Sequence, residues 1–182
     1  MLYNDLLFRN KIYLLKIFLI LENLFTKPDE KLNTNCLKLD LMKKRYLIDT
    51  CIWRDFYENR FSKSGKPLGE YASKLFLKIL KNKNNILFSE TLILELKIDY
   101  SLKEINFMLQ IFFFNNALIK IKITPKEYKE AKNLSMEREL PLVDCLTAIL
   151  ARNYNAQMIS QDKHFFINLK DIVKTIKPQE VN

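Results

Sequence analysis

The sequence predicts an α/β domain: a parallel sheet of about five strands flanked by helices on both faces. Short apolar runs, too brief for helices, alternate with longer segments whose apolar residues recur at three- and four-residue steps. The connections are short, and parallel strands need helical crossovers of this kind to return to the same edge. With 182 residues, 48% of them apolar, the chain is long enough to bury a core on each side of a sheet.

Residues 12–25 read as an accessory helix and the polar stretch 26–41 as a linker, so 1–41 form an N-terminal extension ahead of a main domain over 42–182. Met42, followed by a basic cluster, is an alternative translation start that would leave 1–41 upstream. Residues 46–48 form a buried strand and 52–61 a helix. In 68–80, Leu68, Tyr71, Ala72, Leu75, Phe76, Ile79 and Leu80 share one helical face. A strand over 86–88 precedes helices over 91–100 and 101–114, the second opened by a capping box of Ser101 with Glu104. After a strand over 117–123, Thr124, Pro125 and Glu127 supply an N-cap, a first-turn proline and a capping box for the next helix. An apolar helix over 142–154, a strand over 157–160, a short helix over 164–169 and a closing strand over 172–176 complete the pattern.

Composition narrows the chemistry. Only two glycines occur, Gly65 and Gly69, which excludes the P-loop and the dinucleotide fingerprint. The single histidine, His164, excludes paired-histidine catalysis and His-rich metal sites, and it reads as a turn residue. Cys36, Cys51 and Cys145 are too widely spaced for a zinc motif or a disulfide framework and suit a reducing, cytoplasmic compartment. Cys51 and Cys145 read as small buried residues, and Trp53 as core. The apolar stretch 12–25 is interrupted by Lys16, Glu22 and Asn23, too soon for a membrane span, and no small-residue cleavage site follows it. The net charge is +9, nearly all of it in residues 42–182, which suits a polyanionic partner such as RNA. Lysine enrichment from an AT-rich coding sequence explains the same charge equally well.

In a parallel sheet the ligand site lies at the carboxyl ends of the strands. Asp49 follows the first strand, and Asp162 the strand ending at Ser160. Asp144 opens the apolar helix, which descends about 16 Å over about eleven residues. The next strand climbs back about as far at about 3.3 Å per residue, so Asp144 and Asp162 should meet at one edge. Glu95 sits among leucines in TLILELKI, a costly place for a carboxylate without a partner. Singly, Asp49 and Asp162 are better explained as helix N-caps. Jointly, four converging carboxylates repel one another, and a divalent cation resolves the conflict. Oxygen-only ligands favour Mg²⁺ or Mn²⁺ over zinc.

The segments YLIDTCIW, FSETLILELK, LPLVDCLTAILARNYNAQMISQDKHF and IKPQEV, in that order across residues 44–182, resemble the PIN domain, the nuclease fold of VapC-type toxins from toxin–antitoxin pairs. Their order and spacing are more specific than any one of them. The resemblance implies a PIN-like sheet and endoribonuclease activity by metal-activated water. Asp49, Glu95, Asp144 and Asp162 would then be the catalytic residues and the ligands of Mg²⁺ or Mn²⁺, supported by Thr50 and Ser160. It implies an RNA substrate, an antitoxin protein as partner, a homodimer and no membrane. Glu90 and Asp99 compete with Glu95 for the second acid, Asp99 reading as a solvated surface group. Lys97, Arg152 and Lys163 are expected near the active edge, where they could contact phosphates. The alternative function is a non-catalytic PIN-like module for RNA binding or assembly. Phosphoacceptor and aspartyl-nucleophile domains want paired acids after the first strand, where this chain has Asp49-Thr50-Cys51.

Overall fold

The computed structural model describes residues 43–181. The helix expected over 12–25, the linker, Met42 and the boundary they define lie outside the described residues. The elements are β1 (Arg45–Ile48), α1 (Thr50–Glu58), α2 (Leu68–Lys81), β2 (Asn85–Phe88), α3 (Glu90–Asp99), α4 (Leu102–Phe114), β3 (Leu118–Lys120), α5 (Pro125–Arg138), α6 (Leu142–Asn153), β4 (Gln157–Ile159), α7 (Lys163–Ile167) and β5 (Thr175–Ile176), with a 3-10 turn at Pro178–Glu180. The five strands form one all-parallel sheet in the order β3-β2-β1-β4-β5. From β1 the chain winds outward to β2 and β3, then crosses back to add β4 and β5 on the other side. The winding reverses between β1 and β4, which opens a crevice at their carboxyl ends.

Alternation along β1 divides the core. Tyr46 and Ile48 face one side and Leu47 the other, because successive strand side chains point to opposite faces. Under Tyr46 and Ile48 pack α1, α2, α3 and α4, centred on Trp53, Phe56, Phe76 and Phe112. Trp53 is fully buried, its ring 4.6 Å from Phe76 and 5.1 Å edge-on to Phe112. Under Leu47 lie Leu87 and Met158 with the apolar sides of α5, α6 and α7. Both capping boxes form: Ser101 Oγ accepts from the Glu104 amide, and Thr124 Oγ1 from that of Glu127. Where α2 begins, Gly69 passes so close to the end of α1 that a Cβ would stand 2.4 Å from Asn59 Cα.

Several boundaries differ from those expected. The helix expected to reach Phe61 ends at Glu58, because Asn59 turns left-handed at φ 50° and its amide bonds Asp55 O. Phe61 then forms an isolated bridge with Pro67. The third strand covers only Leu118–Lys120, although the Ile121 amide still reaches Phe88 O at 2.9 Å. The last strand shrinks to Thr175–Ile176, because the amides of Ile172 and Val173 bond Leu169 O and close a turn behind α7. Among the described residues no helix is long and apolar enough to cross a membrane.

Candidate functional site

Both strands that flank the crevice deliver an acid to it. Asp49 directly follows β1, and its amide donates to Ile159 O of β4 at 2.9 Å, stitching the two strand ends together. The Asp49 carboxylate leaves its own helix uncapped and points across the crevice instead. Its Oδ2 accepts from Ser160 Oγ at 2.6 Å and from Cys51 Sγ at 2.9 Å. Ser160, fully buried, also accepts from the Asp162 amide at 2.9 Å, so one hydroxyl fixes both Asp49 and the start of the next loop. Asp162 caps α7 by accepting from the His164 amide at 2.9 Å.

Glu95 arrives from α3. Its Oε2 accepts from Thr50 Oγ1 at 2.6 Å, and a small pocket of about 20 Å³ is bordered by Asp49, Thr50, Glu95 and Thr147. The other acids of this region stay apart. Asp99 pairs with Arg54 of α1 at 2.7 Å, and Glu90 is exposed at the start of α3. Arg54 bears on Glu95 as well, since its positive charge counters the rise in that carboxyl's proton affinity.

From α6 comes Asp144, third residue of the helix and half-buried. Its Oδ2 lies 3.1 Å from His164 Nδ1, and the same nitrogen is 3.6 Å from Asp162 Oδ1. Asp144, Asp162 and His164 each present one donor atom within 4.8 Å of the others, a spacing that could hold a metal ion. Imidazole nitrogen and carboxylate oxygen both ligate divalent transition ions.

The electrostatics bind the four acids into one group. Burial pushes the Asp49 carboxyl above the usual range; hydrogen bonds from Cys51 and Ser160 oppose this, and the charges of Asp144 and Asp162 add to it. Asp144 is raised by burial first, with His164 opposing and the charges of Asp162 and Glu95 adding. Glu95 is likewise raised by burial, with the charge of Asp49 adding. Cys51 is held as a neutral thiol by burial and the adjacent Asp49, so it acts as a hydrogen-bond donor and not as a nucleophile.

A brace anchored on the buried Asp55 stands behind the site. Asp55 of α1 accepts from Arg60 Nε at 2.8 Å and from Gln161 Nε2 at 3.2 Å, and Arg60 reaches back to Cys51 O at 3.0 Å. Gln161 lies between Ser160 and Asp162, so the brace grips the segment that carries them. Sequence reasoning missed this set, along with Arg54 and the orientation of His164. Cys145 is buried, as its size and setting predict.

Of the three basic residues expected at the active edge, Lys163 is exposed beside Asp162 and Lys97 is exposed in the last turn of α3. Arg152 is not there. It lies in the last turn of α6, and the eight residues that separate it from Asp144 carry it about 12 Å down the helix. It pairs with Glu130 at 2.8 Å. With Lys43, Arg45 and Lys174 it borders a hollow of about 910 Å³ at the opposite edge of the sheet. The hollow holds none of the four acids, so its size does not make it the reactive site.

No family model matches the chain, and no curated protein does. A solved structure described as a toxin-antitoxin complex from Klebsiella pneumoniae is similar at 19% identity and a TM-score of 0.51, covering 75% of this chain and 99% of that one. At that identity the likeness speaks to architecture alone. Five parallel strands in the order found here, with seven helices on their two faces among the described residues, match a PIN-like α/β fold.

Proposed function

We propose that the chain is a divalent-metal-dependent endoribonuclease of the PIN type, acting as the toxin of a toxin–antitoxin pair. The observation that carries this reading is the convergence of Asp49, Glu95, Asp144 and Asp162, drawn from four separate segments, at the crevice where strand order reverses. Burial first, and neighbouring carboxylate charges second, raise the proton affinities of Asp49, Glu95 and Asp144, which a bound cation would lower. The toxin role also draws on the likeness to a structure described as a toxin-antitoxin complex.

The donor set fits Mg²⁺ or Mn²⁺, with Asp49, Glu95, Asp144 and Asp162 as holders. When bound, such an ion supplies positive charge against the scissile phosphate and a more acidic attacking water. The residues of the chain supply position. Ser160 and Thr50 hold Asp49 and Glu95 in place by hydrogen bonds of 2.6 Å each, leaving the second oxygen of each carboxylate for a ligand. Asp144 and Asp162 sit on two helix starts, so their backbones do not have to reorganise. Lys163 and Lys97 are exposed cations that could hold backbone phosphates without reading sequence. Arg54, whose charge acts on Glu95, is held by Asp99 at 2.7 Å and would have to leave that pair to do the same.

Purified protein is expected to cleave RNA with Mn²⁺ or Mg²⁺ and to stop in EDTA. Asp144→Asn should abolish cleavage, with thermal unfolding unchanged or raised as repulsion is relieved. Cleavage that persists in EDTA or in this variant overturns the mechanism.

A further inference from the structure

Resting on that reading, we propose that His164 is a nitrogen ligand of the bound cation and makes the site favour Mn²⁺ over Mg²⁺. Two ligands on adjacent corners of an octahedron, each about 2.1 Å from the ion, stand about 3 Å apart. His164 Nδ1 stands 3.1 Å from Asp144 Oδ2, a hydrogen bond in the metal-free site, and 3.6 Å from Asp162 Oδ1; with the ring proton on Nε2, the Nδ1 lone pair takes a ligand position beside both carboxylates as the ion replaces that hydrogen bond. Its place is fixed by the fold. His164 is the second residue of α7, its amide is tied to Asp162 Oδ1 at 2.9 Å, and Phe165 beside it is buried in the core under Leu47. The ring is 28% exposed, open enough to admit an ion yet shielded from free rotation.

The chemical consequence concerns selectivity. Magnesium takes oxygen donors and dehydrates reluctantly, whereas Mn²⁺, although the weakest-binding of the first-row divalent ions, accepts an imidazole nitrogen alongside carboxylate oxygens. An all-carboxylate site draws no such distinction from its protein ligands. Adding one nitrogen strengthens the hold on Mn²⁺ and adds little for Mg²⁺.

The chain contains a single histidine, so an imidazole signal on a bound ion can come only from His164. Tag-free protein loaded with Mn²⁺ should show imidazole ¹⁴N modulation in pulsed electron paramagnetic resonance, and His164→Ala should lose it. Titration calorimetry should find Mn²⁺ affinity lowered about tenfold or more in that variant, with Mg²⁺ affinity changed by less than about twofold. Mn²⁺ bound without nitrogen modulation overturns the ligand assignment and leaves the proposed nuclease site standing. Equal losses for both ions would make His164 a residue that only orients Asp144. Failure of the wild-type protein to bind Mn²⁺ at all overturns both readings.

Discussion

Asp49 concentrates the site's conflict in one side chain: a half-buried carboxylate, steadied by a thiol and a hydroxyl, and facing two other acids. In the unfolded chain Asp and Glu ionise near pH 4. In the fold, Asp49, Glu95 and Asp144 are all raised above that range, mainly by burial. Such groups add stability that is complete below their unfolded pKa values and is lost as pH rises through the folded ones. Glu127, lowered by hydrogen bonds from Thr124 and Asn153 that outweigh its burial, loses its contribution only as the pH falls below the ordinary Glu range. Without metal, the wild-type protein should therefore lose more stability as pH rises from about 4 toward neutrality than Asp49→Asn does, as read by melting temperature in EDTA. Parallel pH curves for the two proteins would contradict the assigned burial cost. Asp49 and Asp162 at neighbouring strand ends are legible from the sequence, because a parallel sheet brings its carboxyl edges together. The turn of His164 toward Asp144 is not, since it depends on ångström-level placement of two helix starts.

At the scale of elements, the brace from α1 to the segment after β4 decides how firmly the crevice is held. Asp55 is 2% exposed and accepts from both Arg60 and Gln161. Removing one partner of a fully buried pair costs several kcal/mol, but Arg60 is 36% exposed and can return to water. The expected loss for Asp55→Ala is thus about 1–3 kcal/mol, the cost of unsatisfied hydrogen-bonding groups. Thermal unfolding should show it, together with weaker Mn²⁺ binding as the Ser160–Asp162 segment loosens. An unchanged melting temperature would refute the brace. Sequence periodicity is strongest where α2 and α6 present long apolar faces, and there the expected and observed ends agree within about a residue. It is weakest at the sheet margins. Ile172 and Val173 look like strand residues because they are apolar and branched, yet they serve the core from a turn.

Over the whole molecule, the two edges of the sheet have opposite character. The carboxyl edge gathers the acids, and the amino edge holds Lys43, Arg45, Arg152 and Lys174 around the broad hollow. A net charge of +9 is readable from composition, but the gathering of these four basic residues away from the acids is not, because Arg152 and Asp144 share one helix and differ only in which end they occupy. The winding of the strands also sets a timetable. Asp49 leaves the ribosome more than a hundred residues ahead of Ser160 and Asp162, and between them lies every other element that shapes the crevice. A chain halted after residue 155 would own Asp49, Glu95 and Asp144 yet have neither the strand that seats Asp49 nor the last acid. It should be inert toward RNA and fail to bind Mn²⁺, and cleavage by such a fragment would break the argument. On the proposed nuclease reading, such a chain owns no complete reactive pocket until β4 and the loop behind it have emerged.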